Sequence, residues 1–142
     1  MKKKDFYSLG IMSGTSIDGF DFSLMKTDGI NNIDVIHNKY FKFTNEFKDK
    51  IKIYIQEINS IKNSSLINDE YFKKKNIEFT EFLSTKIDLF FNELSFPLSK
   101  LDLIGIHGNT LLHIPKKKNL SNLGRQKNCL NILKLKLFMI LE

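Results

Sequence analysis

The sequence predicts an α/β domain: a three-strand meander, two helices, and a strand that returns to the sheet. Three observations lead there. Short apolar runs separated by turn residues fill the opening of the chain. Two stretches with apolar residues at helical spacing fill its middle. A compact apolar run, Leu101 to Ile106, follows them after Pro97.

The first strand is the apolar run Phe6 to Met12, continuous enough to be buried. It breaks into Ser13-Gly14-Thr15-Ser16, which is small, hydroxyl-bearing and turn-prone. The second strand leaves from Gly19, with Phe20, Phe22 and Leu24 alternating against Asp21, Ser23 and Met25. Asp28-Gly29-Ile30-Asn31-Asn32 reads as a turn, and Ile33 to Phe43 as the third strand. Thr44 is an N-cap for a helix whose apolar face is Phe47, Ile51, Tyr54, Ile55, Ile58 and Ile61. Asn63-Ser64-Ser65 interrupts it. A long helix follows from about Ile67 to Leu94, with Tyr71, Phe79, Phe82, Leu83, Ile87, Phe90, Phe91 and Leu94 as its stripe and Lys73-Lys74-Lys75 outside it. An aromatic stripe at helical spacing is core packing before it is a ligand box. Pro97 marks a loop, and Leu101 to Ile106 is a short buried strand. This order fits an α/β domain of the ribonuclease-H-like kind. No internal repeat or low-complexity linker interrupts it.

Composition narrows the functional classes. A chain of 142 residues with 42% hydrophobic content is sized for one domain with a real core. Thirteen Phe, no Trp and two Pro, with abundant Lys, Ile and Asn, suggest an AT-rich genome. The net charge of +6 would suit a nucleic-acid partner. The basic residues include a single Arg, however, and are scattered without an aromatic-basic motif, which describes solvated faces and no nucleic-acid partner. One Cys, Cys129, excludes an internal disulfide and a Cys-rich metal site. No apolar run approaches the roughly 20 residues of a membrane span. Met1-Lys2-Lys3-Lys4-Asp5 precedes a short apolar run without a cleavage site, so a strand is expected there, not a signal peptide. A cytoplasmic protein with no membrane partner is expected.

The first hairpin carries chemistry. Its tip offers backbone N–H groups, hydroxyls and a carboxylate. Small residues let the backbone come close to a ligand, and successive N–H groups form an anion-binding concavity. Asp18 can face a magnesium ion, which prefers carboxylate and water oxygens. A bare Gly-Thr-Ser would be an ordinary polar turn. A second group follows the returning strand: His107-Gly108-Asn109-Thr110-Leu111-Leu112-His113-Ile114-Pro115. In open α/β sheets functional loops sit at the carboxyl ends of strands. Asn109 and Thr110 offer hydrogen bonds of the sort that orient a sugar.

The string Leu9-Gly10-Ile11-Met12-Ser13-Gly14-Thr15-Ser16-Ile17-Asp18-Gly19-Phe20-Asp21 resembles the opening of the anhydro-N-acetylmuramic acid kinases. These belong to the sugar-kinase, Hsp70 and actin superfamily. His107 to Pro115 is similar to that family's His-Gly-Gln-Thr pattern, with Asn109 where Gln is usual. The likeness covers about residues 6 to 120. It implies residues 1–122 as the N-terminal lobe of an actin-like ATPase, with the second lobe absent. It implies a kinase using ATP and Mg2+ to convert 1,6-anhydro-N-acetylmuramic acid and water to N-acetylmuramic acid 6-phosphate in peptidoglycan recycling. The cofactor-binding residues would be Gly14, Thr15, Ser16, Ile17, Asp18, Gly19, Phe20 and Asp21, with Asp18 toward the metal. His107, Asn109 and Thr110 would meet the amino sugar. The resemblance also allows a homodimer of the full-length protein. The family's catalytic base is an Asp in a Gly-x-Asp-Thr-Gly-Pro-Gly-Asn segment, and this sequence has none, so no catalytic residue is assigned and the chain alone is expected to be inactive.

Residues 123–142 depart from the pattern. Codons for Met139-Ile140 read one nucleotide back force an Asp. AT-rich codons around them can yield a helix and strand ending in Asp-Phe-Arg, as the family has. The expectation is a frame change between about Leu123 and Asn128, followed by a poorly packed tail. The alternatives are a non-catalytic nucleotide-binding module and a pseudogene product.

Overall fold

The computed structural model describes residues 5–14, 16–61, 69–107, 110–114, 119–122 and 138–140. The meander appears as β1 (Phe6–Met12), β2 (Gly19–Thr27) and β3 (Ile33–Lys42). Two helices follow, α1 (Asn45–Ile61) and α2 (Asp69–Glu93), and then the returning strand β4 (Leu103–His107). Two further strands, β5 (Thr110–Ile114) and β6 (Asn119–Asn122), pair with each other as a separate antiparallel hairpin. The last strand is β7 (Phe138–Ile140).

The main sheet runs β3-β2-β1-β4-β7. The first three strands are antiparallel neighbours, and β4 joins β1 in parallel. A parallel neighbour needs a crossover, and the two helices supply it. β7 adds a parallel rung beyond β4, from Ile104 opposite Phe138 to Ile106 opposite Ile140. Part of the tail expected to pack poorly thus lies on the sheet edge. The rest of residues 123–142 lies outside the described residues.

Period-two alternation gives the sheet one apolar face. Leu9, Ile11, Phe20, Phe22, Leu24, Ile104 and Ile106 are all buried on it. Ile51 and Tyr54 of α1 and Phe79, Leu83, Ile87, Phe90 and Phe91 of α2 close over them. Aromatic rings fill the seam edge to face: Phe20 meets Phe43 at 4.6 Å and Phe79 at 5.5 Å between centroids. Phe47 and Phe82 stack at 3.8 Å, joining the two helices. Such pairs add about 0.5–1.5 kcal/mol each beyond area burial. No described helix is long and apolar enough to cross a membrane.

The element ends follow local chemistry. Thr44 caps α1, its hydroxyl accepting the Phe47 N–H at 3.2 Å. α2 ends in a Schellman motif. The Phe96 N–H donates to the Phe91 carbonyl and the Ser95 N–H to that of Asn92, with Ser95 left-handed at φ 49°. The Phe91 and Phe96 rings, 5.7 Å apart, supply the apolar contact of that motif. In the β2–β3 turn the Asp28 carboxylate accepts the N–H groups of Ile30, Asn31 and Asn32 at 3.0, 3.1 and 3.0 Å. β3 carries a bulge, because Leu24 faces His37 while Met25 faces Val35, leaving Ile36 without an opposite residue.

Asp102 fixes where β4 lies on β1. Its carboxylate accepts the Tyr7 N–H at 2.9 Å, and its own N–H donates to the Tyr7 carbonyl at 2.9 Å. The register then runs from Ser8 opposite Leu103 to Met12 opposite His107. Replacing Asp102 by Ala removes a charged acceptor from a half-buried amide and is expected to cost about 1–3 kcal/mol of stability in urea unfolding. Asp102→Asn, which keeps one oxygen, should cost less.

Candidate functional site

The segment between β1 and β2 is built as a short closed loop. The buried Ser13 hydroxyl donates to the Gly19 carbonyl at 3.3 Å across its neck. The Ile17 N–H donates to the Gly14 carbonyl at 3.2 Å, turning the chain at the tip. Ile17 is buried and left-handed, at φ 57°. A β-branched residue rarely takes that conformation, which costs on the order of 1–3 kcal/mol and is found mostly at functional loops. At the far side the Phe43 N–H donates to the Asp18 carbonyl at 2.8 Å, tying the loop to the junction of β3 and α1.

The two glycines of the loop have different reasons. A Cβ on Gly19 would lie 2.4 Å from the Phe41 carbonyl oxygen and 2.6 Å from the Tyr40 ring. Gly19 is thus required by β3 crossing over it. A Cβ on Gly14 would have Ser16 Oγ as its nearest neighbour, at 3.5 Å, an ordinary contact. Nothing among the described residues demands Gly14, since a Cβ there would meet only an ordinary contact.

Asp18 is exposed, and its Oδ1 lies 3.4 Å from Lys48 Nζ on the first turns of α1. A hydrogen bond from Ser16, and then one from Lys48, hold its carboxyl below the ordinary carboxylate range. It therefore remains charged at neutral pH. Asp21 lies elsewhere, on the sheet face away from the helices. It stands opposite Tyr40 on one side and Met12 on the other. Phe20 points into the core, beneath Phe43 and Phe79, so only its backbone belongs to the loop.

His107 is the last residue of β4 and stands opposite Met12. Its carbonyl accepts the Ser13 N–H at 3.2 Å. Tyr40, Asp21, Met12 and His107 accordingly form one row across the sheet. The buried Nδ1 of His107 has no hydrogen-bond partner among the described residues. The structure thus brings His107 to the root of the hairpin loop, joining positions far apart in sequence. Thr15, Asn109 and the Thr110 side chain lie outside the described residues. Lys48 was not anticipated, since a Lys in a first helical turn looks like any solvated charge.

Among the described residues no three His, Cys, Asp or Glu side chains group as metal ligands. One ionised carboxylate and nearby hydroxyls suit a magnesium ion that arrives with phosphate oxygens and water, not one caged by protein.

A mixed sheet in this order, with a polar hairpin loop at the carboxyl ends of its parallel strands, is consistent with the N-terminal lobe of an actin-like ATPase. The sequence matches the anhydro-N-acetylmuramic acid kinase family over residues 6–133, and the chain belongs to that family. It is 32% identical over 127 residues to the anhydro-N-acetylmuramic acid kinase of Pelagibacter ubique, covering 86% of this chain and 32% of the relative. The Bacillus cereus kinase of the same name is 36% identical over 121 residues, covering 78% and 28%. That of Bacillus thuringiensis subsp. konkukian is 34% identical over 114 residues. The chain spans about a third of the length of these relatives.

The glycines give a paired test. Gly19→Ala should destabilise the chain by about 3 kcal/mol, an overpacking cost. Gly14→Ala should leave the thermal midpoint nearly unchanged and weaken binding of ATP with Mg2+. Equal effects of the two on stability would contradict the assignment.

Proposed function

We propose that this chain is the phosphate-binding portion of a cytoplasmic kinase of peptidoglycan recycling. The whole enzyme would phosphorylate 1,6-anhydro-N-acetylmuramic acid from ATP, with water opening the anhydro ring, to give N-acetylmuramic acid 6-phosphate. The observation that carries this reading is the convergence of the β1–β2 loop and His107 at the carboxyl ends of two parallel strands, where α/β sheets bind ligands. Residues Gly14 to Phe20 would hold the phosphates, largely through backbone N–H groups, and Asp18 would face Mg2+; Asp21, expected among them, lies within the β2 ladder and is left out. His107, Asn109 and Thr110 would orient the amino sugar. Phosphoryl transfer is served chiefly by positioning and charge neutralisation, which such a loop supplies. Ring opening needs a general base. Asp18 is paired with Lys48 and Asp21 lies in the β2 row between Tyr40 and Met12, so neither is assigned that role; the resemblance places the base in a segment that this sequence does not have.

Two assays test this. The purified chain, given ATP, Mg2+ and anhydro-sugar, should form no sugar phosphate detectable by mass spectrometry. Residues 1–122 grafted in place of the matching segment of the Bacillus cereus relative should give an active kinase. A folded, inactive chimera would overturn the reading.

For residues 123–142 we propose out-of-frame sequence; the family match, which runs to residue 133, overlaps the first eleven of them and weighs against a change of frame before that point. Supporting it is their apolar density without helical or strand period: Leu130, Ile132, Leu133, Leu135, Leu137, Phe138, Met139, Ile140 and Leu141. The β7 pairing spans only three residues, short for a strand that must hold a segment in place. Amide hydrogen exchange should be fast across 125–142; protection equal to that of β1 and β2 would show an integral tail.

A further inference from the structure

Lys48 stands out among the lysines of α1. Its side chain is 19% exposed, against 64% for Lys50 and 61% for Lys52. Lys50 and Lys52 pair with Glu46 and Asp49 on their own helix, as solvated helix charges do. Lys48 instead reaches out of α1 to Asp18, thirty residues earlier in the chain, on the loop before β2. The Phe43–Asp18 backbone hydrogen bond, at 2.8 Å, holds the start of α1 beside that loop. An ammonium is thus kept, mostly covered, at the rim of a loop whose own donors are neutral amides and hydroxyls, with the charge of Lys42, opposite Gly19, also acting on Asp18.

We propose that Lys48 is a phosphate-binding residue: it guards Asp18 in the ligand-free protein and passes to a phosphate oxygen when a metal-bound polyphosphate arrives. This rests on the reading of the β1–β2 loop as a phosphate loop. A divalent cation drawn to Asp18 repels the ammonium that now neutralises it. The phosphate chain that brings the cation offers the nearest new anion. A lysine suits this exchange, because its compact charge on a flexible stem re-aims without a fixed hydrogen-bond fork. The Asp18–Lys48 separation of 3.4 Å, at the long end for a hydrogen bond, leaves little to break.

Calorimetric titration of the unaltered chain with Mg-ATP, Mg-tripolyphosphate and AMP tests it, with circular dichroism melts as the control for folding. Lys48→Ala should weaken both polyphosphates about tenfold or more and leave AMP unaffected, as loss of a charged contact does. Lys48→Arg should restore much of the loss. Lys50→Ala, on the exposed face, should change nothing. The decisive comparison is in the Asp18→Asn background. There Lys48→Ala still weakens tripolyphosphate if Lys48 touches phosphate. It has no further effect if Lys48 serves only to hold Asp18, and that result overturns the proposal. An unaltered chain that binds neither polyphosphate overturns the phosphate-loop reading itself, and this proposal with it. Polyphosphate binding that Lys48→Ala leaves intact overturns the proposal alone.

Discussion

The parallel pairing of β1 with β4 is the constraint on which the rest depends. Its strands are separated by the whole meander and both helices, so its closure is costly in chain entropy and must be secured at its ends. Asp102 clamps one end, its carboxylate accepting the Tyr7 N–H and its own N–H donating to the Tyr7 carbonyl, and the Ser13 N–H donates to the His107 carbonyl at the other. Between them Leu9 and Ile11 lie beside Ile104 and Ile106, all buried under the helices. A slip of one residue would turn these side chains to the wrong face. It would also part His107 from Met12 and separate the two polar segments that make the site.

The apolar pattern of the chain was enough to read the meander, both helices and the returning strand. This worked because each element buries one face: Phe20, Phe22 and Leu24 inward on β2, and Phe79, Leu83, Ile87 and Phe90 inward on α2. Thr44 was legible as a cap because its hydroxyl acts locally. The β5–β6 hairpin was not, because Thr110 to Ile114 and Asn119 to Asn122 are short and pair only with each other. The last residue of β4 shows the ordinary limit at boundaries: His107 was placed after the strand and lies in it.

The loop that carries the candidate residues was legible in position and less so in cause. Gly14 and Gly19 look alike in sequence, yet a Cβ at the first would make only an ordinary contact and the second is forced by the Tyr40 ring and the Phe41 carbonyl. Asp18 and Asp21 also look alike, but Asp18 lies on the loop beside Lys48, whereas the alternation along β2 places Asp21 in the row with Tyr40 and Met12. Lys48 itself is visible only when the junction of β3 and α1 is seen against the loop, a contact that no local pattern encodes.

The bulge at Ile36 has its own consequence. β3 is the outermost strand of the meander and carries exposed Ile33, Val35, Ile36 and Tyr40, the makings of an adhesive edge. With a residue out of step midway, side chains before and after it change faces, and the ladder offered to a second molecule is broken into two short, mismatched runs. Sheet growth from copy to copy would stall at that step. An exposed sheet edge thus carries in one surplus residue a guard against becoming the seed of a fibre.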